Sequence, residues 1–405
     1  MRILLLNQCF YPDHVSTAQH LTDLALGLVE AGHEVIAVAS SRGYDNPETR
    51  YPVRDTWQGV TIYRIWTPGL GKTSKWRRLV DFAIFWFNAT RILLRLPAFD
   101  VTVCLTSPPL ISSLGTLMAM LKGGAVLPWV MDLNPDEAVA ARWLKKDSFV
   151  EQALSTLQTW SFNRAARIVA LDKFMARRIE AKGVPHEIIH VDAPWSHEDA
   201  VHYDIEARTA FRNEHGINGK FVVMYSGNHS PCHPVDTLLD AAKRLAANNR
   251  IHFMFVGGGS EFAKVKAFKA AHDLANVSCL PYQPLAKLSG SLSAADLHIV
   301  IMGPPFVGIV HPCKIYNILS LGSPFLCICP TECHLTELVT RVTDKRYAMT
   351  VQHGEVDNLV KLLLLRSKEG GHAPSIELSA LGAQFSRAML SPRFVRLIEE
   401  CSLPA

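Results

Sequence analysis

No sign of charge dominates this sequence. Its 405 residues carry 41 lysines and arginines against 37 acids, a formal net charge of +4, too small to make nucleic acid the main partner. Charged residues are scarce at 19% while hydrophobic residues reach 48%, the reverse of a disordered chain. Paired cysteine spacing is absent: the nine cysteines are odd in number and scattered from Cys9 to Cys401. A reduced, cytosolic protein is expected. The opening MRILLLNQCFYP has only a short apolar run ending in polar residues, unlike a secretory leader. A long uninterrupted apolar run is missing too. Lys122-Gly123-Gly124 splits the stretch 109–131 into a helix and a strand. The stretch 79–94 is too short, at about 1.5 Å per residue, for a hydrocarbon core of about 30 Å, and it carries Asp81, Asn88 and Arg91. No spanning helix is expected, which leaves surface attachment open.

What is present is a repeated architecture without a repeated sequence. Arg2–Leu6 is a short apolar run of buried-strand type, and Leu21, Leu24, Ala25 and Leu28 recur at helical spacing. Gly32 is a helix stop and residues 34–40 the next strand, giving a βαβ unit with a right-handed crossover. Strands are predicted again at 101–106, 126–131, 167–171 and 187–191. After a polar stretch over 192–219 the pattern restarts, with strands at 221–227, 252–259, 296–301 and 324–329 and a helix over 236–248. The tail reads as two helices, 381–390 and 391–401. The fold class is therefore α/β, with two tandem Rossmann-like, doubly wound parallel-sheet domains. Their expected extents are 1–200 and 201–380, with 381–405 packing back on the first. Ligands of open parallel sheets bind beyond the carboxyl ends of the strands, so an interdomain cleft is the expected site.

Several segments carry candidate chemistry. The loop from Asn7 leads into a helix start at Ser16-Thr17, suited either to an anion or to plain capping. Gly257-Gly258-Gly259 follows a strand and opens a helix, which permits close backbone approach to a ligand or simply a tight turn. Lys314 stands at the start of a short helix, against its dipole, which suggests a bound polyanion. Histidines and cysteines gather at His229–His233 and His311–Cys313, but no close cysteine pair matches a zinc motif, and no metal is expected. Between Arg64 and Arg95, Arg64, Lys72, Lys75, Arg77, Arg78, Arg91 and Arg95 face one acid, Asp81. They surround Trp66, Trp76, Phe82, Phe85, Trp86 and Phe87, a composition suited to an anionic lipid surface or to a core helix with a basic rim.

Taken in order, these segments resemble the two-domain glycosyltransferases of the GT-B fold, in particular the retaining family 4 group and its bacterial members of the colanic acid and surface polysaccharide type. The resemblance rests on the opening strand, loop and GHEV turn, TSPPL (106–110), MDLNPDEAV (131–139), YSGN (225–228), FVGGGSE (255–261), LPYQP (280–284), AADLHIV (294–300) and HPCKIYNILSLGSP (311–324). It spans nearly the whole chain. Three departures stand out. Ile309 and Asn317 occupy the places of the family's two glutamates, of which the second binds the donor ribose. Asn228 and His233 stand where an Arg and a Lys often neutralise the diphosphate, and Ser16-Thr17 replaces a Gly-Gly.

The resemblance implies transfer of a sugar, of hexosyltransferase type, from a nucleotide-sugar, UDP-linked by preference, to a hydroxyl of a glycan or lipid-linked acceptor. It implies retention and no cofactor or required metal. Lys314, a partly charged His233, the backbone at His311–Cys313 and the loop Gly227–Asn228 would meet the diphosphate. Gly257, Gly258 and Tyr282 would frame the nucleotide and Asn317 the ribose. Ser16 and Thr17 would lie near diphosphate and acceptor, and Asp132 would orient or deprotonate the acceptor. The expected setting is the cytoplasm, peripheral to the membrane through 64–95. A nucleotide-sugar epimerase of the same fold and a non-catalytic binding subunit remain as alternatives.

Overall fold

The structure is a computed structural model that describes residues 1–44, 46–70, 75–196, 201–371 and 373–402. Lys72 lies outside these, as does the side chain of Lys75. The chain divides into two compact units: Met1–Pro194 with Gly308–His311 and the residues from Ala388 on, and Trp195–Val307 with Pro312–Arg387.

The first unit runs β1 (Arg2–Leu6), α1 (Ser16–Glu30), β2 (Glu34–Ser40), β3 (Arg54–Trp57), β4 (Val60–Ile65), α2 (Lys75–Arg95), β5 (Val101–Cys104), α3 (Ile111–Lys122), β6 (Ala125–Val130), α4 (Asp136–Ala140), α5 (Phe149–Phe162), β7 (Ile168–Ala170), α6 (Lys173–Glu180) and β8 (Ile189–Val191). Its sheet has the order β3-β4-β2-β1-β5-β6-β7-β8. Every pairing is parallel except β3 with β4. That edge hairpin departs from the sequence expectation. Its turn residues Gln58 and Gly59 both have positive φ, 45° and 85°, the backbone of a tight two-residue hairpin. The core joins Leu4, Leu6, Ile36 and Val38 of the sheet to Phe85, Ala89 and Leu93 of α2 and to Leu114 and Met118 of α3. Gly124 explains why the apolar stretch 109–131 breaks where it does. It has φ +94°, and a Cβ there would lie 2.0 Å from the Phe99 carbonyl oxygen. Among the described residues no helix is long and apolar enough to cross a membrane.

The second unit runs α7 (Ile205–Glu214), β9 (Phe221–Asn228), α8 (Asp236–Arg244), β10 (Ile251–Gly258), α9 (Phe262–Ala271), β11 (Val277–Leu280), α10 (Leu285–Ser293), β12 (Leu297–Ile301), α11 (Lys314–Ser320), β13 (Phe325–Ile328), α12 (His334–Thr340), β14 (Ala348–Val351), α13 (Val356–Glu369) and α14 (Ile376–Ala383). Its sheet order is β11-β10-β9-β12-β13-β14, parallel throughout. The strands are buried on both sides, as doubly wound sheets require. The last helix, α15 (Arg387–Glu400), runs through Pro392 where the sequence suggested a break. Its apolar face, Leu390, Phe394, Val395, Leu397 and Ile398, is buried, and Phe394 packs on Trp129 with ring centroids 4.5 Å apart. That burial offsets the one hydrogen bond a proline removes.

The AADLHIV segment has a structural role. Asp296 is buried and receives Arg208 and Arg212 of α7, both at 2.5 Å, together with the Val222 amide at 2.7 Å. One carboxylate therefore ties α7 to the edge of β9 and β12. Removing it leaves two guanidiniums facing each other in a half-buried site. Asp296→Ala is expected to cost about 3–5 kcal/mol, read from the denaturation midpoint. A loss under about 1 kcal/mol would contradict it.

Candidate active site

In the second unit the site is built where β9 and β10 end. The two strands run in register, with Gly227 opposite Gly257 and Asn228 opposite Gly258. Gly257 has φ +133°, and a Cβ on it would lie 2.1 Å from the Gly227 carbonyl oxygen. Only glycine fits there. Tyr282, well exposed, lays its ring edge against Gly258, 2.9 Å from where a Cβ would stand. Gly227 opens toward α11, since a Cβ there would meet the Lys314 Nζ at 3.0 Å. Lys314 and Asn317, three apart on α11, share a helix face. Cys313, half-buried, stands at the N-cap of that helix. The structure thus gathers Gly227, Asn228, Gly257, Gly258, Tyr282, Cys313, Lys314 and Asn317 into one neighbourhood.

Lys314 is its centre. The Nζ is buried and has no hydrogen-bond partner among the described residues. It lies 3.6 Å from the centroid of the Tyr225 ring, whose face supplies the nearest attraction. Burial alone pushes its pKa down from 10.5 to about 7. Around it the imidazoles are neutral. His229 is brought to about 4, by burial first and then by Lys314. His233 is brought to about 3 by the same two causes. The expectation of a partly charged His233 is therefore corrected. Its Nδ1–H donates to the Ile301 carbonyl at 2.7 Å, and it offers hydrogen bonding without charge. Tyr225 and His229, absent from the sequence-derived site, shape it from below. His229 is fully buried between the Tyr225 and Phe262 rings, and its Nδ1 is 3.3 Å from the Gly258 carbonyl.

His311 is described with the other unit. It belongs to the first unit with Gly308–Val310, buried there with Nδ1 2.8 Å from the Asp172 carboxylate. Asp172 also caps α6 by accepting from the Met175 amide. Ile309, at the place of the family's first glutamate, is 3% exposed and gives its carbonyl to the Leu133 amide at 2.8 Å. Next to it, Asp132 makes a backbone bridge with Val310. The Asp132 side chain lines a cleft of about 300 Å³ with Trp129, Asn134 and Gln158. Burial, and then the charge of Glu137, push its carboxyl up to about 8, while Arg78 pulls it down. Glu137, also raised mainly by burial, accepts from the Asn134 amide at 3.0 Å. A carboxyl tuned near neutrality is suited to proton transfer. Glu137 sits in the quoted MDLNPDEAV segment, five residues on, and only its spacing on a short helix could have signalled it. Ser16 is exposed and Thr17 half-buried in the first turn of α1, after Val15 at the cap.

Two successive Rossmann-like units with a glycine-lined, cationic second unit are the architecture of the GT-B glycosyltransferases, and the chain belongs to them. It matches the glycosyl transferase 4-like domain over residues 17–195 and the glycosyl transferases group 1 domain over 207–303. It is 24% identical to the Pseudomonas aeruginosa protein named as glycosyltransferase WbjE, over 59% of this chain and 60% of that one, under two thirds of its length. It is 22% identical to WcaI of Escherichia coli (strain K12), named for colanic acid biosynthesis glycosyl transfer, over 80% and 82% of the two chains. Among solved structures, Anabaena HepE in complex with UDP-glucose superposes with a TM-score of 0.72 at 13% identity, covering 99% of this chain and 100% of that one.

An unpartnered buried ammonium carries a stability cost. The unfolded chain binds its proton up to about pH 10.5 and the folded chain only up to about 7, so stability rises with pH between them. Lys314→Met keeps the stem and removes the charge. It should raise the melting temperature by about 2 °C or more at pH 7 and below, and the gain should shrink toward pH 10. Thermal scans across pH test this. A destabilised variant at pH 6 would contradict it.

Proposed function

We propose that the protein transfers a sugar from a nucleoside diphosphate sugar, with UDP as the nucleotide, to a hydroxyl of a growing surface glycan. Lys314 carries this reading: a buried ammonium with no counter-charge, beside two strand-end glycines that leave backbone room for a ligand. The leaving group gains negative charge as the bond to the sugar breaks, and a desolvated cation stabilises that charge far better than a solvated one. Gly257, Gly258 and Tyr282 frame the nucleotide, and Asn317 accepts from and donates to ribose hydroxyls. In the first unit, Asp132 takes the proton of the attacking hydroxyl. Its raised pKa leaves it close to the balance between acid and base near neutral pH. Retention, and independence of metal, follow from the resemblance to family 4. The presence of Ile309 in place of a glutamate supports a second reading, binding without transfer, which turnover separates from the first.

The UDP interaction has a defined pH dependence. A bound diphosphate raises the Lys314 pKa above about 7, so binding takes up a proton above that pH. Affinity should be full below 7 and fall by up to tenfold per unit above it. UDP completes its own ionisation near 6, so calorimetry at pH 7–9 isolates the lysine. Lys314→Arg, always charged, should flatten the profile. Pure UDP that fails to bind would sink the donor assignment. Binding without conversion of any UDP-sugar in an acceptor screen would favour the second reading.

The protein is proposed to act at the cytoplasmic face of a membrane. Helix α2 is apolar on two sides. Phe85, Ala89 and Leu93 face the core, while Trp76, Leu79, Val80, Phe87 and Leu94 form an exposed stripe, Leu79 66% and Phe87 63% exposed. Arg77, Arg91 and Arg95, all exposed, border it, with Arg77 and Arg91 close over the rings of Trp76 and Phe87. Such a face suits anionic lipid. Vesicles with anionic lipid should bind the chain, and binding should weaken as salt rises past about 0.15 M. Leu79→Asn with Phe87→Asn should reduce binding tenfold or more. Equal binding to neutral and anionic vesicles would remove the electrostatic part.

A further inference from the structure

A group of sulfurs lies in the second unit, where β13 ends and α12 begins. Cys327 and Cys329 are two residues apart on an extended chain, so their side chains leave the same face of the sheet. The chain then turns through Pro330–Glu332 and reaches Cys333, the residue before α12. The three cysteines are reduced and at most 1% exposed, while Thr331 and Glu332 in the turn are exposed. Two of the sulfurs are in contact, the Cys329 S–H donating to the Cys333 sulfur. Cys333 Sγ also accepts from the Thr336 amide, and the Thr336 hydroxyl lies 3.8 Å away. Thr336 Oγ1 in turn receives the Cys333 amide at 3.1 Å, which holds the sulfur in position. In its protonated form Cys333 can donate to the Pro330 carbonyl, 3.5 Å off. The Cys329 hydrogen bond brings the Cys333 thiol down to about 6, with Thr336 assisting and burial opposing. The same bond raises Cys329, which keeps its proton. A thiolate-forming cysteine and a protonated one therefore meet in an enclosed place.

We propose that Cys333 and Cys329 are a dithiol oxidised by hydrogen peroxide to a reversible disulfide, Cys333 attacking and Cys329 resolving. This holds whether or not the chain transfers sugar. The Cys333 thiolate attacks one peroxide oxygen and the O–O bond breaks. Hydroxide leaves and takes up the proton that Cys333 had released, giving water and a sulfenic acid on Cys333. The Cys329 sulfur then attacks the Cys333 sulfur and the S–O bond breaks. The departing hydroxide takes the Cys329 proton as a second water, and the S–S bond forms. The two thiols give up two electrons, which the peroxide gains. Burial selects the oxidant: peroxide is close to water in size, whereas a bulky disulfide must approach an accessible sulfur. Cys327 feels the charge of Cys333, but the hydrogen-bond contact is with Cys329, which sets the pairing. The new bond ties the carboxyl end of β13 covalently to the start of α12.

The test exposes the folded, freshly reduced full chain to hydrogen peroxide and follows its thiols by alkylation and peptide mass. Cleavage at Glu332, between the two cysteines, leaves fragments that only their disulfide joins. The first two of the nine thiols to disappear should be Cys329 and Cys333, in joined fragments that dithiothreitol separates. The link should survive Cys327→Ser. Cys333→Ser keeps an oxygen able to cap α12, and should slow loss of the Cys329 thiol at least tenfold. Cys329→Ser should stop at a sulfenic acid on Cys333, trapped by dimedone. If that variant does not fold, Cys333→Ser and the joined fragments decide. Oxidised glutathione should modify half-buried Cys279, Cys313 and Cys401 before Cys333. Peroxide that oxidises those three and leaves Cys329 and Cys333 open to alkylation overturns the proposal. So does a link that is lost in Cys327→Ser, or one that forms only in urea.

Discussion

A lysine ammonium held out of water without a counter-charge is the constraint on which the second unit is organised. Folding alone does not favour it, because burial penalises the charged form and no acid among the described residues faces it. The fold tolerates it through the Tyr225 ring and through the glycine at 227, which leaves room for the Nζ. That glycine in turn requires Gly257 beside it in the β9–β10 register. Strand pairing, glycine placement and an aromatic platform therefore converge on one uncompensated charge. Sites that store such a cost are where ligands provide the missing interaction.

The first unit shows the complementary case. Here the group is an acid, half-buried Asp132, and its neighbours leave it near neutrality. Burial and Glu137 raise it, and Arg78 moderates it. Arg78 belongs to α2, whose inner face completes the hydrophobic core and whose outer face is left apolar and exposed. One helix thus couples core packing, the electrostatics of a candidate base and an exposed apolar surface. Its C-terminal carbonyls at Leu93 and Leu94 are capped by Lys122 at 2.8 Å, which fixes the helix end and so its rotational setting.

The strands at 2–6, 34–40, 221–228 and 251–258 were legible because each is a continuous apolar run, the pattern of a strand buried on both faces. The β3–β4 hairpin was not, since Arg54–Trp57 is a polar edge strand with no buried face to impose a pattern. The glycines and Lys314 were legible as residue types at fixed spacing. Their environment was not. Whether His233 is charged depends on depth and on its distance from Lys314, and neither is written in the local sequence. The same holds for the His311 side chain, whose contact with Asp172 lies 139 residues away in sequence.

The departures from the family follow a single physical logic once the charges are placed. By the resemblance, Asn228, Asn317, Ile309 and neutral His233 stand where the family carries formal charge of both signs. With an amide at 317, no carboxylate among the described residues pairs with the ammonium of Lys314. With neutral residues at 228 and 233, Lys314 is the cation that the proposed function assigns to the diphosphate. Removing opposite charges together keeps the electrostatic balance of the site while concentrating it on one titratable group. A site with several fixed cations binds its anion over a wide pH range. A site with one desolvated lysine binds by drawing in a proton, and its strength follows the pH of the compartment in which it works. Under the proposed function, these residues make the charging of the pocket conditional rather than permanent, while the strand ends and glycines that define it stay in place.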